Sequence, residues 1–213
     1  DLTGLENLTS SDGDLELSDN PLLTNVDALS GVTRVDGQLA FHELPSLVDI
    51  NAMSQLESVG ALVIQSNDVL TDLVGLDNLT SIHGHLLISD NPALETLDSL
   101  AGLTAVPSDL KLVHNHALET LSGLDNITVV EGDLELTTSN ALVDLAGLES
   151  LEWVGGTLSL ERLSGMTSLE GLEGLTLIGE DLYIFGINHL SDLTGLDSLR
   201  TVEGTLELGD NQG

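Results

Sequence analysis

The chain has 213 residues, of which 36 are acidic and 4 are basic, giving a formal net charge of −32. Such a charge repels nucleic-acid phosphates and anionic membrane surfaces, so neither is expected as a partner. The absence of cysteine excludes disulfides and zinc–thiolate sites, and no apolar run approaches the roughly 20 residues of a membrane span, so no membrane insertion is expected.

Leucines recur along the whole chain with a period of 24 residues, broken by one step of 23 between Leu39 and Leu62. We count each coil from this leucine, which is position 0. A fixed repeat of this length predicts a solenoid. The position-0 residues are Leu15, Leu39, Leu62, Leu86, Leu110, Leu134, Leu158, Leu182 and Leu206.

Each coil is predicted to contain two short parallel strands. Positions 0 and 2 are both apolar, as in Leu86 and Ile88, which places them on one face of a first strand. Position 20 is Val or Ile, as in Val106, and β-branched residues favour a second, shorter strand. A glycine usually follows it and allows the turn into the next coil.

The rest of each coil is predicted to form 3₁₀-like turns. Its apolar residues recur every three positions, as in Leu118, Leu121, Leu124 and Ile127, and this spacing suits 3₁₀ turns better than an α-helix. Position 13 is always small, which indicates a close approach of neighbouring coils or an unusual dihedral angle. The predicted fold is therefore an all-β-leaning solenoid, with residues 1–213 forming one domain of about eight to nine coils by the repeat count.

Asparagine often occupies position 5, where the chain bends after the first strand. Stacked asparagines at such a bend can hydrogen-bond main-chain groups of neighbouring coils, so we favour a structural ladder over a metal site. Leu44, Ser139, Leu163 and Ile187 interrupt the column. The predicted ladder residues are Asn20, Asn67, Asn91, Asn115 and Asn211.

The repeat resembles the receptor L-domain repeats, which are related to leucine-rich repeats. The likeness rests on G-D-L-E-L-S-D-N-P at 13–21, G-H-L-L-I-S-D-N-P-A-L at 84–94 and L-x-x-L-x-G-L-x-x-L-x-x-V-x-G at 118–132. It covers essentially the whole chain. The resemblance implies a right-handed solenoid of stacked parallel strands, of the kind found in extracellular ligand-binding regions and in exported bacterial or archaeal surface proteins.

Both ends of the sequence fall within a coil, since Asp1 enters at position 10 and Gly213 stands at position 7. Solenoids need polar capping coils, and none is evident in the sequence. We therefore expect either a segment of a longer array or molecules that stack end to end, which would make a second copy of the chain a partner.

No catalytic signature is evident, and no enzyme activity is expected. Paired carboxylates occur throughout, without a nucleophile elbow or a glycine-rich phosphate loop. The histidine pairs His83 with His85 and His114 with His116 are expected to be solvated rather than to bind a metal. No cofactor is expected, although outward carboxylates of successive coils could bind calcium weakly, namely Asp14, Glu16, Asp109, Asp133 and Glu135.

Two accounts of the acidity remain open. The carboxylates could hold a hydration layer in a salt-adapted, halophilic protein, and Lys111 as the only lysine fits this account. Alternatively, the chain is a secreted surface protein in a calcium-containing medium. The 41% of hydrophobic residues recur in register, which argues against disorder in either case.

Apolar residues on the outward side of the main strands are the candidate ligand-binding surface. Exposed apolar patches often mark interfaces, although a loop or a neighbouring chain could equally cover them. These candidate residues are Val63, Leu87, Val113, Tyr183 and Phe185.

The expected function is that of a non-enzymatic extracellular or cell-surface scaffold, adhesin or filament-forming structural protein. Its partner would be another copy of the chain, a surface protein or a polysaccharide. The alternatives are a ligand-binding ectodomain module of a surface receptor or sensor, and an accessory region of a large exported protein.

Overall fold

The main strands stack in register and form one long parallel sheet. The computed structural model describes residues 2–211. Equivalent leucines of successive coils pair directly, as Leu86 with Leu110 and Leu110 with Leu134. The prediction of a right-handed parallel β-solenoid with about 24 residues per turn, almost no α-helix, short strands and 3₁₀ turns is confirmed.

The main sheet has eleven strands within residues 2–211, and the order of its path is β1-β3-β4-β6-β8-β10-β12-β14-β16. Strand β2 pairs with β3, and β5 pairs with β4. The strands are β1 Ser10–Ser11, β2 Leu15–Ser18, β3 Arg34–His42, β4 Ser58–Gln65, β5 Ser81–Ile82, β6 Leu86–Ser89, β8 Leu110–Val113, β10 Leu134–Thr137, β12 Leu158–Glu161, β14 Leu182–Phe185 and β16 Leu206–Gly209.

A second sheet forms from the strands at positions 19 and 20, and it has five strands in the described range. Position 20 faces inward, so Val106, Val130 and Val154 are fully buried. The strands are β7 Ala105–Val106, β9 Val129–Val130, β11 Trp153–Val154, β13 Leu177–Ile178 and β15 Thr201–Val202.

The second sheet is absent from the first coils because the two strands of a coil are joined there. Strands β3 and β4 continue through the corner that separates the two strands of later coils, and their register shifts between Val35 and Gln38. The corner of β4 contains the 23-residue step, since Gly60 is followed at once by Ala61 and Leu62. The corner of β3 has its full length and keeps the bond of the later corners, in which the N–H of Gln38 donates to Asp14 Oδ1 at 2.8 Å.

One continuous hydrophobic core runs from Leu17 to Leu190. Its leucine rows are almost completely buried because each coil covers the apolar face of the next. The bend after each main strand places position 4 in the left-handed region, with φ between 54° and 57° at every non-glycine residue of this column. These residues are Asp19, Glu43, Ser66, Asp90, His114, Thr138, Arg162 and Asp210.

The corner at positions 12–15 has two forms. The predicted 3₁₀ conformation appears in the coils with Ala or Ser at position 13, at Asp27–Leu29, Asn51–Met53 and Asp98–Leu100. Where position 13 is glycine, the residue is left-handed, with φ of 113° at Gly75 and 99° at Gly123. A side chain is disfavoured at such angles, so the sequence selects the form of the corner.

Candidate functional site: the outward face of the main sheet

Side chains at positions −1, 1 and 3 point outward from the main sheet, because alternate residues of a strand face opposite sides. The candidate residues Val63 on β4 and Leu87 on β6 are direct neighbours across the pair of strands. Val113 lies on β8 beside Ser89. These three residues therefore share one surface.

The apolar side chains of this surface do not protrude beyond their neighbours on the sheet. Val63 has only 7% of its surface exposed, and its neighbour Ala61 has 8%. Leu87 and Val113 are half-buried. Small residues in a sheet are shielded by longer neighbours, so the apolar area offered to a partner is smaller than the sequence pattern suggests.

Three coils toward the N-terminal part of the main sheet carry no outward carboxylate, in contrast to the coils on either side of them. In three successive coils, none of the nine outward positions is acidic, and we call this surface the central window. Charge depletion at the centre of a surface patch is typical of protein interfaces. The central window consists of Gln38, Ala40, His42, Ala61, Val63, Gln65, His85, Leu87 and Ser89. The acidic outward residues of the other coils are Asp14, Glu16, Asp109, Asp133, Glu135, Glu161, Asp181 and Glu207.

Basic groups pair with acids at the margins of the central window. His42 Nε2 lies 2.7 Å from Glu16 Oε1 at one margin. At the other margin, Lys111 Nζ lies 3.4 Å from Asp109 Oδ2 and 3.7 Å from Glu135 Oε2. Burial lowers the pKa of Lys111, but attraction to these carboxylates outweighs it, so the pKa is raised above its ordinary value.

A cavity and a buried hydroxyl group without a partner lie at the central window. A shallow cavity of about 250 Å³ is lined by His85, Leu86, Leu87, Asp109 and Lys111. Ser89 is 4% exposed, and its Oγ has no hydrogen-bond partner among the described residues. Ser89 does not line the cavity and its Oγ is buried, so the cavity offers mainly the apolar surface of Leu86 and Leu87 beside Lys111.

The candidate residues Tyr183 and Phe185 lie on β14, away from the central window. The Tyr183 hydroxyl donates to Asp181 Oδ2 at 2.9 Å, and this bond raises the pKa of Tyr183. The Phe185 ring covers Gly209 of the next coil, where an added Cβ would lie 2.3 Å from Phe185 Cε1. Both side chains therefore already contact other residues of the same solenoid.

The asparagine column links three successive coils in the middle of the chain. Asn67, Asn91 and Asn115 are fully buried. Asn91 Nδ2 donates to Ile64 O at 2.9 Å, and its Oδ1 accepts the main-chain N–H of Asn67 at 3.1 Å. Each amide thus ties its own coil to the preceding one.

The two outer members of the column differ. Asn20 is exposed and bonds within its own coil, through Nδ2 to Ser18 O at 2.7 Å. Asn211 is half-buried and makes the inter-coil contacts, to Ile184 O at 2.8 Å and from Ile187 N at 2.9 Å. The buried ladder is therefore confined to the middle of the described chain.

Many carboxylates have a structural role, because fourteen of the 36 acidic side chains accept main-chain N–H groups within residues 2–211. At position 15, an acid accepts the N–H of each left-handed corner glycine, as Asp125 Oδ2 does from Gly123 at 2.7 Å. At position 10, Asp72 Oδ1 accepts the N–H of Val74 at 3.0 Å. Turn formation thus accounts for part of the acidity, independently of salt or calcium.

The candidate calcium ligands take part in the same bonding. Asp109 Oδ1 accepts the N–H of Asp133 at 3.0 Å, and Asp133 Oδ1 accepts that of Thr157 at 2.9 Å. An added Cβ at Gly132 would lie 2.3 Å from Asp109 Oδ1, so this aspartate requires glycine in the next coil. Across the described range, no three His, Cys, Asp or Glu side chains converge well enough to hold a metal ion.

A histidine groove lies beside the bend after the main strands. His114 Nδ1 lies 2.9 Å from Asp90 Oδ1, and the His114 and His116 rings are 6.3 Å apart. Together with Asp68, Pro92 and Thr138, these side chains line an open cavity of about 450 Å³. His114 and His116 are both exposed, so the groove is open to solvent.

The sequence reasoning overlooked the central window, Lys111 at its margin and the structural acids. The signal was present in the repeat. Aligning the nine coils and noting the charge at positions −1, 1 and 3 would have revealed the acid-free window. Aligning position 13 with position 15 would have shown that each corner glycine is followed two residues later by Asp or Glu.

A scan against protein-family models and a search of curated proteins found no match to this chain. Within the part of the chain that the structure describes, no helix has the length and apolarity needed to cross a bilayer. The fold is therefore established by the coordinates alone, as a parallel β-solenoid of about eight turns.

Proposed function

We propose that the chain is a non-enzymatic repeat scaffold of the cell surface or extracellular space, related to the receptor L-domains and leucine-rich repeats of exported surface proteins. It would act as a scaffold, an adhesin or a filament subunit. One observation carries the proposal, namely the unbroken core from Leu17 to Leu190 beneath an eleven-stranded sheet. Such stacking gives a rigid body whose repeated surface can hold partners at fixed distances.

Two features support this proposal. The sheet face is flush, whereas enzymes usually bind substrates in deep concave pockets. The acidic side chains also form most of the charged surface, which keeps such a rod soluble and separated from like-charged surfaces.

The experiment is surface labelling of the source cells with antibodies against the solenoid, followed by electron microscopy of the labelled material. Intact cells should be labelled without permeabilisation, and the images should show rods, either single or joined end to end. Labelling that requires permeabilisation would contradict the proposal. Single rods would favour a scaffold or adhesin over a filament.

The central window favours a second candidate function, a ligand-binding module of a surface receptor or sensor. An uncharged centre with acidic surroundings suits a partner with an apolar core and a basic rim. Leu87→Glu would place a charge in the window and should abolish retention of the partner on immobilised solenoid.

Ser159→Glu is the matched control, because Ser159 occupies the same position 1 on β12 beside Glu135, outside the window. It should leave retention unchanged. Thermal unfolding of both variants separates loss of binding from loss of fold. Equal retention by wild type and Leu87→Glu would count against a binding role for the window.

A further inference from the structure

Three asparagines at position 16 begin the triplet Asn-x-Thr, in which x is not proline. They are Asn7-Leu8-Thr9, Asn78-Leu79-Thr80 and Asn126-Ile127-Thr128, and the sequence contains no other triplet of this type. Such triplets are the acceptors of N-linked glycans in exported proteins. In all three, the asparagine and the threonine are exposed.

The repeat itself offers a simpler explanation of these residues. Asn126 Nδ2 donates to Ala101 O of the preceding coil at 2.9 Å, and Asn78 Nδ2 donates to Ser54 O at 2.8 Å. Thr128 Oγ1 donates to Thr104 O at 3.3 Å. Asparagine at position 16 and threonine at position 18 therefore each have a structural role. An Asn-x-Thr triplet could arise simply because both occur in the same coil.

Asparagine stands at position 16 only where position 18 is threonine, and the other three coils with threonine there have glycine at position 16. Where position 18 is Glu57, Glu152 or Arg200, position 16 is polar but is never asparagine. In those three coils it is Gln55, Ser150 and Ser198. The pairing is therefore compatible with a glycosylation signal, and the exposure of the asparagine and the threonine in all three triplets supports one.

The geometry leaves room for a glycan. The next coil has Gly31 beside Asn7, Gly102 beside Asn78 and Ser150 beside Asn126, so no bulky side chain covers the amides. A primary amide has two N–H groups. In Asn78 and Asn126 one N–H makes the contact to the preceding coil and a glycan would replace the other, so attachment and the inter-coil hydrogen bond are compatible.

We propose that Asn7, Asn78 and Asn126 are N-linked glycosylation sites arranged along one edge of the solenoid. A polyprenyl-diphosphate-linked oligosaccharide would be the donor. Its anomeric carbon forms a bond to Nδ2, the carbon–oxygen bond to the diphosphate breaks, and the amide proton leaves with the diphosphate lipid. The proposal rests on the extracellular location proposed above, because such donors act during export.

The position of the column has a consequence for binding. Position 16 lies between the corner glycines and the second sheet, so glycans there would leave the main sheet face uncovered. With neighbouring coils about 4.8 Å apart, the three sites are separated by roughly 14 and 10 Å along the axis. Each glycan would thus occupy a separate stretch along the edge of the solenoid.

Mass spectrometry of the full chain, purified from its source cells and digested after Glu, tests the proposal, since the chain has only 4 tryptic sites. Peptides with Asn7, Asn78 and Asn126 should carry hexose-containing additions. Enzymatic release in ¹⁸O-labelled water should convert each modified asparagine into labelled aspartate. An unmodified amide at all three sites would overturn the proposal.

Variants expressed in the source cells separate the triplet from the structural column. Thr128→Ala should lose the glycan on Asn126, and Thr128→Ser should retain it. Thr33→Ala is the matched control, because Thr33 Oγ1 makes the same contact, to Thr9 O at 3.2 Å, but follows Gly31. Loss of glycan in Thr33→Ala, or its persistence in Thr128→Ala, would contradict the assignment.

Antibody labelling of intact, unpermeabilised cells distinguishes failure of this proposal from failure of the proposed function. A chain that is labelled but carries no glycan would overturn the glycosylation sites and leave the surface role intact. A chain that is neither labelled nor glycosylated would overturn both.

Discussion

The bend after the main strand is built differently in the middle coils and in the later coils. Asn67, Asn91 and Asn115 occupy position 5 in the middle coils and bind across to the preceding coil. Ser139, Leu163 and Ile187 occupy it later, and Leu163 and Ile187 are fully buried without any polar group to pair. The same column is therefore polar and bonded in one region and mainly apolar in the other.

The backbone dihedral angles of the bend are nearly the same in the two regions. The preceding residue has φ of 56° at Asp90 and 57° at His114, compared with 55° at Thr138 and 54° at Arg162. Because the bend has the same shape in both regions, stacking of the leucine rows sets its geometry. The asparagines add hydrogen bonds to a path that is already determined, which predicts an effect on stability rather than on shape.

Removing Asn91, the middle residue of the buried asparagine ladder, should reduce the stability of the fold the most. Asn91→Ala deprives the N–H of Asn67 of its acceptor and Ile64 O of a donor, both in a buried site. We expect a loss of about 3 kcal/mol in the free energy of unfolding, measured with urea. In Ser139→Ala the loss should be negligible, because Ser139 is 2% exposed and its Oγ has no partner in the described chain. Equal losses in the two variants would remove the distinction between the regions.

Relieving the bend itself should stabilise the later coils. Thr138 is β-branched and left-handed, a combination with a high steric cost, whereas the same position is glycine at Gly186. Thr138→Gly should gain about 1 kcal/mol after the entropy cost of glycine, visible as a higher Tm. Asp90→Gly should gain less, since aspartate tolerates this conformation and also contacts His114. A lower Tm for Thr138→Gly would show that the bend is not strained.

Extending the ladder should have a smaller stabilising effect. Ser139→Asn would provide an acceptor for the N–H of Asn115 and a donor for Leu112 O, by analogy with Asn91. The expected gain is roughly 0.5–1 kcal/mol in urea unfolding. Ser139→Asp is the control, because a carboxylate has no N–H to donate and is charged, so it should destabilise the fold. A gain in both variants would mean that the amide geometry is not the cause.

The smallest effect concerns pH and distinguishes amides from carboxylates. The pKa of Asp192 is lowered, chiefly because its carboxylate accepts the N–H of Thr194. Such a group stabilises the fold above about pH 4, and this contribution disappears as the pH falls through the folded-state pKa. Asp192→Ala should therefore lower the Tm slightly at about pH 7 and leave it unchanged at about pH 2. The cost of Asn91→Ala should be similar at both pH values, because an amide does not titrate in this range.

The repeat period, both strand columns and the solenoid fold could be read from the sequence because each depends on spacing alone. Position 0 pairs with position 0, so any residue that keeps the period falls into register, as Leu134 does with Leu110. The 23-residue step at Gly60 was also visible. The continuity of β3 and β4 through the corner was not visible, because a full-length corner and a shortened one both carry it.

The surface could be predicted less well because exposure depends on neighbouring coils. Val63 points outward as its position requires, but adjacent side chains reduce its exposure to 7%. The sequence predicts an exposed side chain for Phe185, yet its ring covers Gly209, which lies 24 residues later. Such contacts become predictable only when each column is read along the axis, coil by coil.

The in-register stacking of equivalent positions has an evolutionary consequence. Because every coil presents to its neighbour the same rows that it receives, a duplicated or deleted block of 24 residues joins the remaining coils without rebuilding any of them. Gene recombination between repeats can thus lengthen or shorten the molecule in steps of about 4.8 Å. Natural variants that differ by whole coils should therefore fold, whereas a change of a few residues requires a local adjustment of one corner, as in the 23-residue step at Gly60.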